Sequence, residues 1–250
     1  MIKNLVSIII PTKNEGQNIK RCLLSCKGQT YQNIEIIVVD NYSTDNTLEI
    51  VKQFTPNLFL KDQERSTQRN YGAKNARGNY LLFIDADMEL ATSLVKSLIT
   101  EVKNVGYQAM IIPEKSTGRG FWARSVALER SCYLGDPDIE AARFFEKKLF
   151  DQLGGFDENL IAAEDWDLTL RAKNSGAKIG RIQNYLIHHE INSFKNLVLK
   201  KYYYAQATIN IVRNENLRLK LVENGILWSK QFTWENCYLD IKSFIFKYYD

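Results

Sequence analysis

Residues 80–89 read Tyr-Leu-Leu-Phe-Ile-Asp-Ala-Asp-Met-Glu. An apolar run from Tyr80 to Ile84 stops at Asp85, and a second carboxylate follows at Asp87. A continuous apolar run, as opposed to an alternating one, is the pattern of a strand covered on both faces. A nearly continuous apolar, β-branched run recurs upstream at Leu5 to Ile10, closed by Pro11, and at Ile34 to Val39, closed by Asp40. A short third strand fits Asn57 to Leu60. Helical segments fit Glu15 to Lys27, Ser43 to Gln53 and Ser66 to Ala76. The second opens on the capping-rich Ser43-Thr-Asp-Asn-Thr47, and Arg77-Gly78-Asn79 breaks the third. Downstream, Ala91 to Lys103 is helical and Ala109 to Ile112 strand-like, ended by Pro113. This alternation predicts an α/β fold: a doubly wound, mostly parallel sheet with helices on both faces.

In such sheets ligands bind beyond the carboxyl ends of the strands. Polar clusters sit at three predicted strand ends: Pro11-Thr12-Lys13-Asn14-Glu15, Asp40 to Asp45, and Asp85-Ala86-Asp87. Topology predicts that they converge on one edge. Two carboxylates one residue apart at a strand end offer hard oxygen donors to Mg²⁺ or Mn²⁺, which prefer carboxylate and phosphate oxygens. A cation there would stabilise charge on a departing diphosphate. A bare D-x-D triplet is more often a solvated strand exit, so its place behind an apolar strand carries the weight.

The bulk numbers are permissive. The 250 residues suit one large domain or a domain with an appendage, and 45% hydrophobic content supplies a sizeable core. A net charge of +4 fits an anionic small substrate or a membrane surface, not nucleic acid, which needs a concentrated basic face. Cys22, Cys26, Cys132 and Cys237 lack zinc-site spacing and read as free thiols. The apolar run before Pro11 is too short for a secretory signal, and no stretch reaches about 18 apolar residues, the length of a membrane span.

The second half is less regular. Gly118-Arg-Gly120 reads as a mobile loop, Arg143-Phe-Phe145 as a short apolar segment, and Leu153 to Asp157 as a turn. Glu164 to Asn174 is helical. A long amphipathic helix is expected over Ser193 to Asn214, and residues 215–250 hold room for more helix.

Taken in order, VSIIIPTKNE, IIVVDNYSTDNT, RNYGAKNARGNYLLFIDADME, GGFDENL and AEDWDLTLRAKNSG resemble the signature blocks of glycosyltransferase family 2 across roughly residues 5–190. The resemblance implies a GT-A fold and inverting transfer of one sugar from a UDP- or GDP-sugar to an acceptor hydroxyl, with Mn²⁺ or Mg²⁺ as cofactor. It implies a catalytic domain over 1–192, with a nucleotide-binding half to about 113 and an acceptor half to 192, followed by a helical extension over 193–250.

Roles follow by position. Pro11, Thr12, Asn14 and Glu15 resemble the loop around the nucleotide, and Asp40 the carboxylate that accepts from the base. Ser43 and Asp45 share that loop, where Asn41 stands in place of the family's frequent second Asp. Arg69 resembles an arginine that reaches base or phosphate. Asp85 and Ala86 are expected near the ribose, with Asp87 as the direct metal ligand and Asp85 sharing it. In Ala163-Glu164-Asp165-Trp166-Asp167, Asp165 resembles the base that deprotonates the acceptor, with Glu164 beside it and Trp166 against substrate. The same acids also suit a helix N-terminus, whose dipole favours them. His188 and His189 end a predicted strand and face opposite ways, so one of them faces the site. His189 is preferred as a further metal ligand.

Lys195, Lys200, Lys201 and Arg213 with Tyr202 to Tyr204 suit either an interfacial helix on an anionic bilayer or a helix packed on the catalytic domain. The first predicts a cytoplasmic protein in peripheral contact with the membrane through 193–214, acting on a glycan or polyprenyl-linked acceptor. No Q-x-x-R-W motif accompanies the blocks, so processive synthesis is not expected. The alternatives are a sugar-nucleotide nucleotidyltransferase, which would open on a Gly-rich phosphate loop, and a non-catalytic membrane-associated scaffold of the same fold.

Overall fold

A computed structural model describes residues 4–62, 64–132, 134–135, 140–160, 162–190, 192–199 and 202. The chain divides into compact units Met1–Lys201 and Tyr202–Asp250, and the fold below is that of the first.

The leading half alternates as expected: β1 (Val6–Thr12), α1 (Ile19–Lys27), β2 (Ile34–Asp40), α2 (Thr47–Lys52), β3 (Leu58–Leu60), α3 (Arg65–Asn75) and β4 (Tyr80–Phe83). After it come β5 (Met88–Leu90), α4 (Leu94–Val105), β6 (Ala109–Ile111), β7 (Glu114–Thr117), α5 (Phe121–Ser131) and β8 (Ala142–Glu146). The last elements are α6 (Lys147–Gln152), α7 (Glu164–Asn174), β9 (Ile179–Arg181) and β10 (Leu186–His189).

Seven strands form the central sheet in the order β3-β2-β1-β4-β8-β6-β9. β1 runs parallel to β2 and β4, β2 to β3, and β6 to β9, whereas β8 lies antiparallel between β4 and β6. The sheet is therefore mostly parallel and doubly wound, with one reversed strand near its middle. The short apolar segment Arg143-Phe144-Phe145 is that strand.

Strand periodicity explains the two cores. Val6, Ile8, Ile10, Leu82 and Ile84 face one side, packing with Ile19 and Leu23 of α1 and Leu94 and Leu98 of α4. Ile9, Ile37, Val39, Leu81 and Phe83 face the other, with Ala73 of α3, Phe150 of α6 and Leu168 of α7. Successive side chains point to opposite faces, so a run that is apolar at both parities must be covered twice.

Beside this sheet, β5, β10 and β7 form a three-stranded sheet in that order. Residues 121–131 following the glycine-flanked Gly118–Gly120 turn are the helix α5. α1 begins at Ile19, not Glu15, and the N–H groups of Asn14, Glu15 and Gly16 ahead of it donate to the side chains of Ser43, Thr47 and Asp45. Cys22 and Cys26 are buried free thiols and Cys132 an exposed one, while Cys237 lies outside the described residues. Of the helix expected over 193–214, residues 194–199 and 202 are helical and the rest lies outside the described residues. Among the described residues no helix is long and apolar enough to cross a membrane.

Candidate active site

The first two strand-end clusters are laced into one unit. Parallel pairing sets Thr12 level with Asp40. The Asn14 N–H donates to Ser43 Oγ at 2.7 Å, the Thr44 N–H to Asn14 Oδ1 at 2.8 Å, and the Glu15 N–H to Thr47 Oγ1 at 2.8 Å. Asp45 closes the set by accepting from the Gly16 N–H at 3.0 Å. Asn14 holds a left-handed φ of 53°, which asparagine tolerates better than most residues. Asp40 is fully buried, and its two carboxylate oxygens accept from the N–H and hydroxyl of Ser43. Pro11 and Thr12 are buried in β1.

Helix α3 joins this unit to the third cluster. Gln68 donates to the carbonyls of Thr12 at 3.1 Å and Val39 at 2.7 Å, clamping the ends of β1 and β2. The next residue, Arg69, turns to the carboxylates. Its Nη2 donates to Asp85 at 2.7 Å, and its Nη1 to Asp165 at 2.8 Å and Glu164 at 3.1 Å. The guanidinium, expected to reach a base or phosphate, is fully buried and lies 5.2 Å from the Phe156 ring centroid. The Gly154-Gly155 turn, with φ of 80° and 76°, brings Phe156 there, where its N–H and carbonyl bond the Asn70 side chain.

Sequence reasoning missed Arg143. Its Nη2 stands 3.6 Å from Asp85 Oδ2 and 3.9 Å from Asp165 Oδ2, and its Nε pairs with Glu114. An arginine opening a buried aromatic strand was the available signal, because arginine is rarely buried unpaired. Burial alone would raise the Asp85 carboxyl, but Arg69 and Arg143 hold it well below the usual carboxylate range. Burial, joined by the Asp165 charge, pushes Glu164 up despite Arg69 and Arg65. Glu164 is the buried member of the pair and Asp165 the more exposed.

Glu164 and Asp165 open α7, where unpaired N–H groups favour negative charge. Ala163 before them has a φ of 63°, a left-handed conformation that costs an alanine energy and is concentrated at functional sites. Asp165 and Trp166 line a cleft of about 320 Å³ shared with Glu114, Arg130, Glu140 and Arg143.

Asp87 sits on the other side of Asp85, with Ala86 buried between them. Antiparallel pairing sets His188 opposite Met88, and the His188 Nε2 lies 3.2 Å from Asp87 Oδ2. His189 points elsewhere, its Nε2 3.0 Å from Glu89. Asp87 Oδ1 is buried and has no hydrogen-bond partner. Burial pulls the His188 imidazole down, but the Asp87 and Glu190 carboxylates, 3.2 and 3.0 Å from its ring nitrogens, outweigh it and raise the ring to about 9. Among the described residues no group of three or more His, Cys, Asp or Glu forms a ready cation cage. The unpartnered Asp87 Oδ1 is a hard oxygen donor of the type that Mg²⁺ and Mn²⁺ take alongside phosphate and water.

The profile of glycosyl transferase family 2 matches residues 7–156. The glycosyltransferase AglE of Haloferax volcanii is 24% identical over 240 residues, spanning 89% of this chain and 79% of that one. A PGL/p-HBAD biosynthesis glycosyltransferase of Mycobacterium bovis is 28% identical over 216 residues, 80% of this chain and 83% of that one. Among solved structures, TarS residues 1–349 from S. aureus in complex with UDP superposes with a TM-score of 0.61 at 23% identity, covering 74% of this chain. The mannosyltransferase PcManGT from Pyrobaculum calidifontis, in complex with GDP-Man and Mn²⁺, gives 0.59 at 21% identity and covers 82% of this chain. The present chain spans 60% of the TarS chain and 61% of the PcManGT chain, and at these identities the likeness is one of fold.

Proposed function

The chain belongs to glycosyltransferase family 2, and from that premise we propose that it transfers one sugar, with inversion, from a UDP- or GDP-sugar to an acceptor hydroxyl. The observation that carries the reading is Asp87. One of its oxygens is buried and unpartnered and the other faces His188, beside the Asp85–Arg69–Asp165 network. The nucleotide-sugar is expected along the β1 and β2 loops. Asp85, charged and anchored by arginine, suits a ribose hydroxyl more than a cation. His188, and not His189, joins Asp87 as the protein's metal-site pair. Mn²⁺ or Mg²⁺ held there supplies Lewis-acid stabilisation of the charge on the leaving diphosphate.

Asp165 is the proposed base. Its Oδ1 is fixed by Arg69, while its Oδ2 stands beyond hydrogen-bond distance of Arg143 and is left to take a proton. As the acceptor oxygen bonds to the anomeric carbon, its proton passes to Asp165 and the sugar–phosphate bond breaks from the opposite face, its electron pair leaving with the diphosphate. Arg69 does not touch substrate in this scheme; it aligns both carboxylates. The acceptor, entering the cleft beside Trp166, belongs to the glycans, among them polyprenyl-linked ones.

A thermal-shift experiment tests the reading. A nucleoside diphosphate with Mn²⁺ at a hundredfold excess over Kd adds about 2.7 kcal/mol, or roughly 5–10 °C for a chain of this size. Asp87→Ala is expected to remove the Mn²⁺-dependent part. A shift that persists unchanged in Asp87→Ala refutes the metal assignment.

A further inference from the structure

Arg143 leaves part of its guanidinium uncommitted. Its side chain is 9% exposed and lines the cleft that holds Asp165 and Trp166. Nε is taken by Glu114. Nη2 stands 3.6 Å from Asp85 Oδ2 and 3.9 Å from Asp165 Oδ2, beyond hydrogen-bond distance of both. Nη1 is buried and has no hydrogen-bond partner. Arg69 differs: both of its terminal nitrogens donate to carboxylates at 2.7 to 3.1 Å. A buried donor on a charged group left without an acceptor is costly, and such groups are uncommon in folded proteins.

The rest of the cleft wall says what kind of acceptor atom fits. It carries four carboxylates, Glu114, Glu140, Glu164 and Asp165, against two guanidiniums, Arg130 and Arg143. A ligand bringing its own negative charge would meet that excess of like charge. An arginine only donates and an ionised carboxylate only accepts, whereas a hydroxyl does both. A sugar with neighbouring hydroxyls can therefore accept from Arg143 and donate to a carboxylate of the wall. Glu140 is held ready for this by Arg181, whose Nε and Nη2 donate to it at 2.5 and 2.9 Å. Leu134 and Trp166 add apolar surface for the C–H face of a ring. The cleft encloses about 320 Å³, at the small end of ligand sites, which suits the terminal residue of a glycan.

We infer that Arg143 is a substrate-binding residue: through Nη1 it holds a hydroxyl of an uncharged terminal sugar on the acceptor, beside the hydroxyl that Asp165 deprotonates. The cleft thereby selects neutral acceptors over uronic acids and other anionic ends. The inference rests on the proposed role of Asp165 and goes beyond it by giving the acceptor a charge class.

The test uses the full chain with Mg²⁺ and either UDP or GDP, and reads glycoside binding by saturation-transfer NMR. The probes are p-nitrophenyl glucoside, galactoside and mannoside, each beside the matching p-nitrophenyl uronide. At least one neutral probe is expected to bind, and its uronide at least about tenfold more weakly, because juxtaposed like charges repel. Arg143→Gln is expected to weaken the neutral probe about 10–100-fold, the worth of a hydrogen bond to a charged group, while nucleotide affinity by calorimetry stays parental. Three results overturn the inference and leave the transferase reading standing. A uronide binds as well as its neutral partner, Arg143→Gln binds the neutral probe as the parent does, or no neutral probe binds the nucleotide-loaded chain. Loss of nucleotide affinity in place of probe affinity in Arg143→Gln moves the residue to the donor and overturns the inference too. A parent chain that binds neither UDP nor GDP removes both readings. Should Arg143→Gln fail to fold, Arg143→Lys decides, since a point charge does not reproduce the fixed fork: parental probe binding in it overturns the inference.

Discussion

Arg69 Nη1 meets Asp165 Oδ1 at 2.8 Å across 96 residues of chain, while Nη2 of the same guanidinium meets Asp85 at 2.7 Å. One fully buried arginine thus joins the carboxylate that follows β4 to the carboxylate in the first turn of α7. The proposed donor and acceptor sides of the reaction are held at a fixed spacing by a group that, in the proposed scheme, touches neither substrate.

Removing that arginine should therefore cost stability before it costs chemistry. Arg69→Ala leaves Asp85, Glu164 and Asp165 facing one another, and breaking a buried pair from one side costs about 3–5 kcal/mol. At roughly 2–4 °C per kcal/mol for a chain of this size, calorimetry should show a clear fall in Tm. Arg69→Lys should recover little, because a point charge cannot reach three carboxylates as the planar fork does.

Asp165→Asn should separate binding from chemistry. The amide oxygen can still accept from Arg69, so the fold and the nucleotide-dependent thermal shift are expected to survive. Transfer should drop by about 10²–10⁴-fold, the usual worth of a positioned base. Steady-state rates with a responsive donor and acceptor check this, and near-parental turnover would move the base elsewhere.

Glu35 governs part of the acid limb of stability. Burial raises its carboxyl, but the Ser7 hydroxyl at 2.6 Å and the Arg77 N–H and Nε at 2.7 and 2.9 Å outweigh burial and lower it. A lowered group stabilises the fold above its unfolded value, about 4.3, and loses that contribution as pH falls through its folded value. Tm measured against pH should show Glu35→Gln less stable than the parent at neutral pH, with the gap closing on acidification below about pH 4.

Gly72 is where α3 rests on the sheet. A Cβ there would come within 2.6 Å of Ile9 Cγ2 and 3.3 Å of Val39 Cγ2. Both are buried branched side chains with no room to retreat. Gly72→Ala, although favourable to a helix, should destabilise by about 1–3 kcal/mol through overpacking, read as a shift in the denaturant midpoint. It should also disturb Arg69, one turn earlier on the same helix.

Legibility followed the reach of the interactions. β1, β2 and β4 were readable because burial on both faces leaves a nearly continuous apolar run, interrupted only by Ser7 in β1 and Glu35 in β2, and α7 because its acids and its length are local. β5, β7 and β10 were not expected as a sheet: each has three or four residues, too few for periodicity to speak. The parity of His188 and His189 was readable, but its sign was not. Which imidazole meets Asp87 is decided by the pairing of His188 with Met88, a contact between segments a hundred residues apart. Arg143 escaped for the same reason, since nothing local to Arg143-Phe-Phe145 says that the strand runs backward between β4 and β6.

That reversed strand also sets an order on biosynthesis. β4 pairs with β8 from Tyr80 opposite Glu146 to Leu82 opposite Phe144. A nascent chain that has emerged only as far as Pro113 carries β1 to β4 but leaves the outer edge of β4 bare, and an unpaired apolar edge is a template for association with other chains. The half proposed to hold the nucleotide is therefore not expected to fold on its own. The sheet closes only when β8 arrives from the ribosome, some sixty residues after the strand it must cover, and a truncation between the two should yield aggregate in place of a nucleotide-binding fragment.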